Sequence, residues 1–194
     1  MSLTLISPPS EEPVTLVELK AHLRVDGTAE DALIAGLGVA ARQAIEARFG
    51  VAMIAQTWQL ALDGLAPIDI RLPIGPVTSI GPLIMSTDDG EITVPTIDYD
   101  VSIGDIGRIR FDTGYPVASV GQGSPGTAGR FDYLKVSFAA GYPTASDVPE
   151  PMKLAVKVLA AHFFEFREEA GVDRFYTSPQ SLNALMAPWR RVRL

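Results

Sequence analysis

The hydrophobic period of this chain changes twice, and that change limits the folds open to it. Thr15-Leu16-Val17-Glu18 has the form of a capping box, in which hydroxyl and carboxylate serve orphan N–H groups reciprocally. Leu16, Leu19 and Leu23 then recur at helical spacing until Asp26-Gly27 stops the run. A longer helix follows, with Thr28 as the expected cap and Asp31 in its first turn. Leu33, Leu37, Ala41 and Ile45 are its expected buried stripe and Gly50 its terminator. The small residues Ala35, Gly36, Gly38, Ala40, Ala41 and Ala44 would let another helix approach closely.

From about Ala55 to Ala140 the period is two. Trp58, Leu60 and Leu62 alternate with Gln59, Ala61 and Asp63, and Ile68, Ile70 and Leu72 alternate with Asp69 and Arg71. Leu134, Val136 and Phe138 repeat the pattern. Asp88-Asp89-Gly90 is a hairpin signal, and Pro73, Pro76, Pro82 and Pro95 keep the strands short or at edges. Gly121 to Gly129, with four glycines and a proline, reads as a mobile loop. Helical spacing returns after Gly141-Tyr142-Pro143. Asp147 is the expected cap, Pro149 falls in the first turn, and Met152, Val156, Leu159, Phe163 and Phe166 form the stripe. Ser178-Pro179 starts one more short helix, which Pro188 should end.

The expected fold class is therefore α+β. Residues 1–54 and 141–187 form a helical bundle, 55–140 an inserted antiparallel β module of five to seven strands, and 188–194 an extended tail. That tail, Pro188-Trp189-Arg190-Arg191-Val192-Arg193-Leu194, puts three arginines and a tryptophan on a chain of net charge −7. Trp and Arg concentrate at the energetic centres of interfaces, which suggests an insert for a partner surface. A terminus folded back on its own domain is the other reading.

Composition excludes several functions. At 194 residues the chain can bury roughly 70% of its unfolded surface without staples, and it has no cysteine for disulfides, thiolate metal sites or nucleophiles. Sixteen basic against 23 acidic residues argue against broad nucleic-acid affinity. Met1-Ser2-Leu3-Thr4 lacks a signal-peptide pattern, and no apolar run is long enough to span a bilayer. The expectation is a soluble protein made in the cytoplasm, without cofactor or metal.

Strings that imitate chemistry have plainer explanations. Gly121-x-Gly123-x-x-Gly126 matches a dinucleotide fingerprint, but Pro125 sits inside it and no helix follows. Gly36-x-Gly38-x-x-Ala41 lies within a helix and reads as close packing. His162 and Glu165 are three apart on a helix, yet His22, the only other histidine, is isolated, so a metal site lacks ligands. Asp88, Asp89, Asp98 and Asp100 fail the calcium-loop spacing. No serine sits in a nucleophile elbow, and two histidines allow no triad. The chain reads as a non-enzyme.

Particular strings then become recognisable. Val14 to Val25, Glu30-Asp31-Ala32-Leu33-Ile34, Gln56-Thr57-Trp58 and Arg71-Leu72-Pro73-x-Gly75-Pro76-Val77 resemble the phage head–tail connector (adaptor) family. So do Val136-Ser137-Phe138-x-Ala140-Gly141-Tyr142 running into Asp147-Val148-Pro149, and the ending Leu185 to Leu194. The family occurs in long-tailed phages, prophages and gene transfer agents. The region from Gly81 to Arg130 departs most from it.

The resemblance implies a structural protein of the virion neck. Its copies would form a ring, usually dodecameric, beneath the portal protein. The ring extends the DNA channel and gives stopper and tail proteins a platform; DNA passes through without specific binding, and no membrane is involved. The modest aromatic and 20% charged content suggests a monomer or weak oligomer when free. The portal-binding residues would be Trp189, Arg190, Arg191, Val192, Arg193 and Leu194. The competing class is a peptide- or carbohydrate-binding module outside any virion, for which Trp58, Tyr99, Tyr115 and Tyr133 are the candidate aromatic residues.

Overall fold

A computed structural model of the chain describes residues 1–63, 69–87, 90–111, 131–166 and 180–190. The fold is α+β, with antiparallel sheets and four α-helices among the described residues. The chain divides into two compact units. Met1–Pro9 joins Ala55–Gly141, and Ser10–Ile54 joins Tyr142–Leu194.

The first unit is built of strands: β1 (Ser2–Ser7), β2 (Gln56–Asp63), β3 (Asp69–Arg71), β4 (Val77–Thr87), β5 (Gly90–Thr93), β6 (Tyr99–Ser102), β7 (Arg108–Phe111) and β8 (Phe131–Ala140). A five-stranded sheet has the order β1-β2-β8-β4-β5 and a three-stranded sheet the order β3-β7-β6. The period-two residues set the register. Leu60 lies opposite Val136, which lies opposite Leu83, while Leu134 lies opposite Met85, and all five are buried. The two sheets are stitched where Val77 and Gly104 exchange backbone hydrogen bonds of 2.7 and 2.9 Å, and Leu72 N–H donates to Gly107 O at 2.8 Å to extend the pairing of β3 with β7.

Residues 1–9 differ from the sequence reading, which grouped them with the helices. Leu3-Thr4-Leu5-Ile6 is too short for a clear period, but its residue types suit a strand. β1 pairs with β2 from Ser2 opposite Ala61 to Leu5 opposite Trp58, and the Met1 amine lies 3.2 Å from Asp63.

The second unit holds α1 (Leu16–Leu23), α2 (Asp31–Phe49), α3 (Glu150–Glu165) and α4 (Gln180–Leu185). α1 packs on α2 and α3, α2 on α3, and α4 on α3. The capping box forms as expected: Glu18 N–H donates to Thr15 Oγ1 at 3.3 Å and Thr15 N–H to Glu18 Oε2 at 2.8 Å. The start of α2 is different. Thr28 is not its cap; Glu30 holds that position without a side-chain bond, because Asp31 N–H closes a turn onto Thr28 O. Asp31 instead accepts from Lys20 at 2.6 Å.

The inward stripe of α2 is Ile34, Gly38, Ala41, Ile45 and Phe49. Leu33 is exposed and Leu37 half-buried, one helical position off the expectation. At Gly38 a Cβ would lie 2.6 Å from the Leu19 Cδ1 tip, so α1 comes close over this position. Gly36 faces open space and takes no part in this packing.

Asp147 does not cap α3 either. It closes a 3₁₀ turn, Ala145–Asp147, through a reciprocal box with Thr144, and α3 begins after Pro149. Met152, Val156 and Leu159 are buried, Phe163 is half-buried, and Phe166 lies beyond the helix end with 42% of its surface exposed. The Gly121–Gly129 segment, Asp88, Asp89, Ile68, Ser178 and Pro179 lie outside the described residues.

Candidate functional site

The candidate site grows from the way α4 ends. Leu182 and Met186 are buried against the core of the helical unit, with Met186 N–H bonded to Leu182 O at 3.0 Å. Pro188 does not stop the chain there. It sits within a 3₁₀ turn, Ala187–Trp189, at an early position where its missing N–H costs nothing. Trp189 and Arg190 N–H groups close that turn onto Met186 O and Ala187 O at 3.1 and 3.2 Å. The extra turn lays half-buried Trp189 against the unit's own apolar cluster. An extended tail beginning at Pro188 is thus corrected for Pro188 and Trp189, and the backbone is extended from Arg190. Arg191, Val192, Arg193 and Leu194 lie outside the described residues.

Arg190 is exposed and lines a shallow pocket of about 330 Å³ together with Arg48, Phe49 and Asn183. Arg48 belongs to the last turn of α2. Its Nη2 donates to Asn183 Oδ1 at 3.1 Å, and its guanidinium carbon lies 5.6 Å from the centre of the Phe49 ring. An amide acceptor and an aromatic face therefore contact one guanidinium, and Arg190 contributes a second to the lining. Sequence reasoning singled out Arg190 but missed Arg48 and Asn183. They lie 135 positions apart, and no period links the end of α2 to α4.

A second polar feature lies inside the helical unit. Arg42, 4% exposed, bonds through Nε to Glu12 at 2.7 Å and through Nη1 to Glu46 at 2.6 Å. Glu46 is 7% exposed and also accepts from Met53 N–H at 2.8 Å. Burial works against the Arg42 charge, but the hydrogen bond to Glu12 and the nearby carboxylates outweigh it and raise its pKa. The network ties the segment before α1 and the segment after α2 to α2 itself. Its visible sequence signal is an Arg–Glu pair four apart, each residue following one of the apolar stripe.

His22 is exposed on α1, and half-buried His162 rests its ring 4.8 Å from that of Phe166. Asp98 is half-buried and Asp100 exposed at the start of β6. Among the described residues no three His, Cys, Asp or Glu side chains are grouped to hold a metal ion, and no helix is long and apolar enough to cross a membrane. Of the aromatic candidates for a binding module, Tyr99 is 7% exposed and packs edge-on to Phe111 at 6.1 Å, as a core residue does. Trp58 is half-buried, and the side chains of Tyr115 and Tyr133 lie outside the described set.

No protein-family model matches the chain, and no curated protein does. Solved structures do match over its whole length. A chain in the neck of an empty gene transfer agent (GTA) particle, computed with C6 symmetry, aligns with 100% of this chain and 97% of its own. The TM-score is 0.76 and the identity 27%. A chain in the virion of a native GTA particle gives 0.76 and 28%, and one in the neck of a native GTA particle, computed with C12 symmetry, 0.73 and 26%, with the same coverage.

Proposed function

We propose that this chain, a non-enzymatic structural protein of the head–tail connector family, forms a ring in the virion neck. The ring lies beneath the portal protein, lengthens the DNA channel and offers stopper and tail proteins a platform. The observation that carries the reading is the full-length likeness to chains of GTA necks, reached over 100% of this chain and 97% of the other. The C6 and C12 symmetries of those necks suit a ring made of head-to-tail copies.

The residues support the same role. With 23 acidic against 16 basic residues, the chain is suited to lining a channel along which DNA slides without sticking. The helical halves would act as one module and residues 55–140 as its insert. Free in solution, the chain would be a monomer or weak oligomer that closes its ring on the portal. Arg190, Arg191, Val192, Arg193 and Leu194 would contact the portal, with Trp189 fixing where this segment leaves the core.

The test is to add the purified chain to DNA-filled heads that carry a portal and image the vertex by electron microscopy. One new ring of density beneath the portal is expected. Removing residues 191–194 should abolish that density while leaving the melting temperature unchanged. Heads that gain no density from the intact chain would overturn the reading.

A further inference from the structure

We infer that β6 of one copy pairs with β1 of the next along their free backbone edges, joining the three-stranded sheet of one copy to the five-stranded sheet of its neighbour. This pairing is a copy-to-copy contact of the ring proposed above and rests on that reading. β1 and β6 are end strands, with no strand beyond them among the described residues. Every large apolar side chain exposed on the sheet unit, among the described residues, lies on or beside one of the two. Met1, Leu5 and Ile6 belong to β1 and its start, and Ile97, Val101, Ile103 and Ile106 flank or lie in β6. β3 and β5, the other two ends, carry none. A free edge is a template for another strand, and proteins that stay apart protect such edges with charge or proline. β1 has neither, and β6 has a single aspartate.

The two edges fit each other in length and in face. β1 keeps an unbroken register with β2 from Ser2 to Leu5, before the irregularity at Ile6, and so offers four residues; β6 has four, Tyr99–Ser102. Residues directly opposite share one face of a sheet. Leu3 and Leu5 therefore lie on the face of Leu60 and Trp58, and Tyr99 and Val101 on the face of Phe111 and Ile109. In each sheet this apolar face runs past its cover at the end strand, where Leu5 is 41% and Val101 50% exposed. Antiparallel pairing with Thr4 opposite Asp100 sets Leu3 against Val101 and Leu5 against Tyr99, so each apolar face covers the open margin of the other. The contact uses a different strand on each side, which is the head-to-tail geometry that closes rings by rotation. Two short edges bury little area, so the pair is weak between free copies and strong where a closed ring repeats it.

The chain has no cysteine, so linking sites can be placed at will. The full chain carrying both Thr4→Cys and Asp100→Cys is treated with a bis-maleimide spanning about 8 Å, which reaches direct and diagonal cross-strand neighbours. A ladder of linked copies that grows with protein concentration is expected. Each single variant alone should stay monomeric on the gel, and the two mixed should give dimers and nothing longer. Val101→Lys in the double-cysteine chain should cut the linked product about tenfold without moving the melting temperature, because an edge lysine resists being covered. Leu33→Lys, at a similarly exposed position of the helical unit, should leave the ladder as it was. Dimers from Thr4→Cys alone would show β1 pairing with itself and overturn the proposal. So would a ladder that Val101→Lys leaves intact, or no ladder at any concentration. Portal-bearing heads separate this contact from the function. A ladder in solution with no ring on the heads would defeat only the function proposed above, whereas a ring on the heads that the reagent leaves unlinked would overturn the pairing.

Discussion

The helical unit and the sheet unit place their charges differently. In the helical unit Arg42 reaches Glu46 and Glu12 from a nearly sealed position, and Lys20 and Lys157 pair with Asp31 and Glu18 while mostly covered themselves. In the sheet unit the ion pairs Met1–Asp63, Arg108–Asp69 and Lys135–Glu91 all keep both partners at least 31% exposed. Exposed pairs contribute little, whereas breaking a buried pair leaves a charge without compensation. The helical unit should therefore respond to charge changes, and the sheet unit to changes in packing. The two tryptophans report on this separately, because Trp58 belongs to the sheet unit and Trp189 to the helical one.

The largest expected effect is Arg42→Ala. It leaves the buried Glu46 carboxylate facing an empty site and releases Glu12, at a cost of about 3–5 kcal/mol. Denaturant unfolding followed by Trp189 fluorescence, in a Trp58→Phe background, should register the loss. Trp58, followed in a Trp189→Phe background, should move much less. Equal losses from both probes would break the distinction between the units.

Trp189→Ala comes next. A half-buried tryptophan packed on the core should cost about 2 kcal/mol, less than the loss for a fully buried one. Removal of residues 191–194 alone should cost nothing measurable in calorimetry. A neutral Trp189→Ala would mean that the ring matters only to a partner, as the sequence first suggested.

Packing should govern the sheet unit. At Gly107 a Cβ would lie 2.6 Å from Val77 Cγ2, 2.8 Å from Leu72 Cδ1 and 3.0 Å from Val77 Cβ, where the two sheets are stitched. The β-branched Val77 cannot swing away, so Gly107→Ala should cost about 1–3 kcal/mol. Gly38→Ala in the helical unit is the matched control. Its only close neighbours are the Leu19 Cδ1 tip and Cγ, and the gain in helix propensity, about 1 kcal/mol, offsets the strain. A chemical-denaturation series that ranks Gly38→Ala as the worse of the two would reverse the comparison.

These sites also show what the sequence could convey. Periods of two and near 3.6 placed α1, α2, α3 and the main strands because each buries one face, and the burial writes itself into residue order. The capping box was legible because its four residues are contiguous. Thr28 and Asp147 misled because a hydroxyl or carboxylate before a helical run fits an isolated turn equally well; backbone hydrogen bonds elsewhere decide which forms. β1 was missed because an edge strand of six residues takes its order from β2, more than fifty positions away. The pocket was half legible. Arg190 stood out by composition, but Arg48 and Asn183 meet only through the packing of α2 with the C-terminal segment, which leaves no local pattern.

The smallest effect expected is a pH dependence, and it belongs to the helical unit. Glu18 has its pKa lowered from 4.5 to about 2, first by the hydrogen bond it accepts from Thr15 N–H, against some desolvation, and then by the Thr15 hydroxyl and Lys157. A depressed carboxylate stabilises the fold fully above its unfolded pKa and loses that contribution as pH falls through the folded one. The loss should therefore run from about pH 4.5 down to about 2. With 41% of the Glu18 side chain exposed, solvent screening reduces the contribution to about 1 kcal/mol or less. Glu18→Gln should remove this part of the acid dependence read by Trp189 and leave the Trp58 profile as it was. It should also weaken the link between α1 and α3, because the amide gives Lys157, now 3.2 Å from Glu18 Oε1, no charge to pair with. A Trp189 profile that keeps its full slope between those pH values in the variant would place the acid sensitivity on another carboxylate.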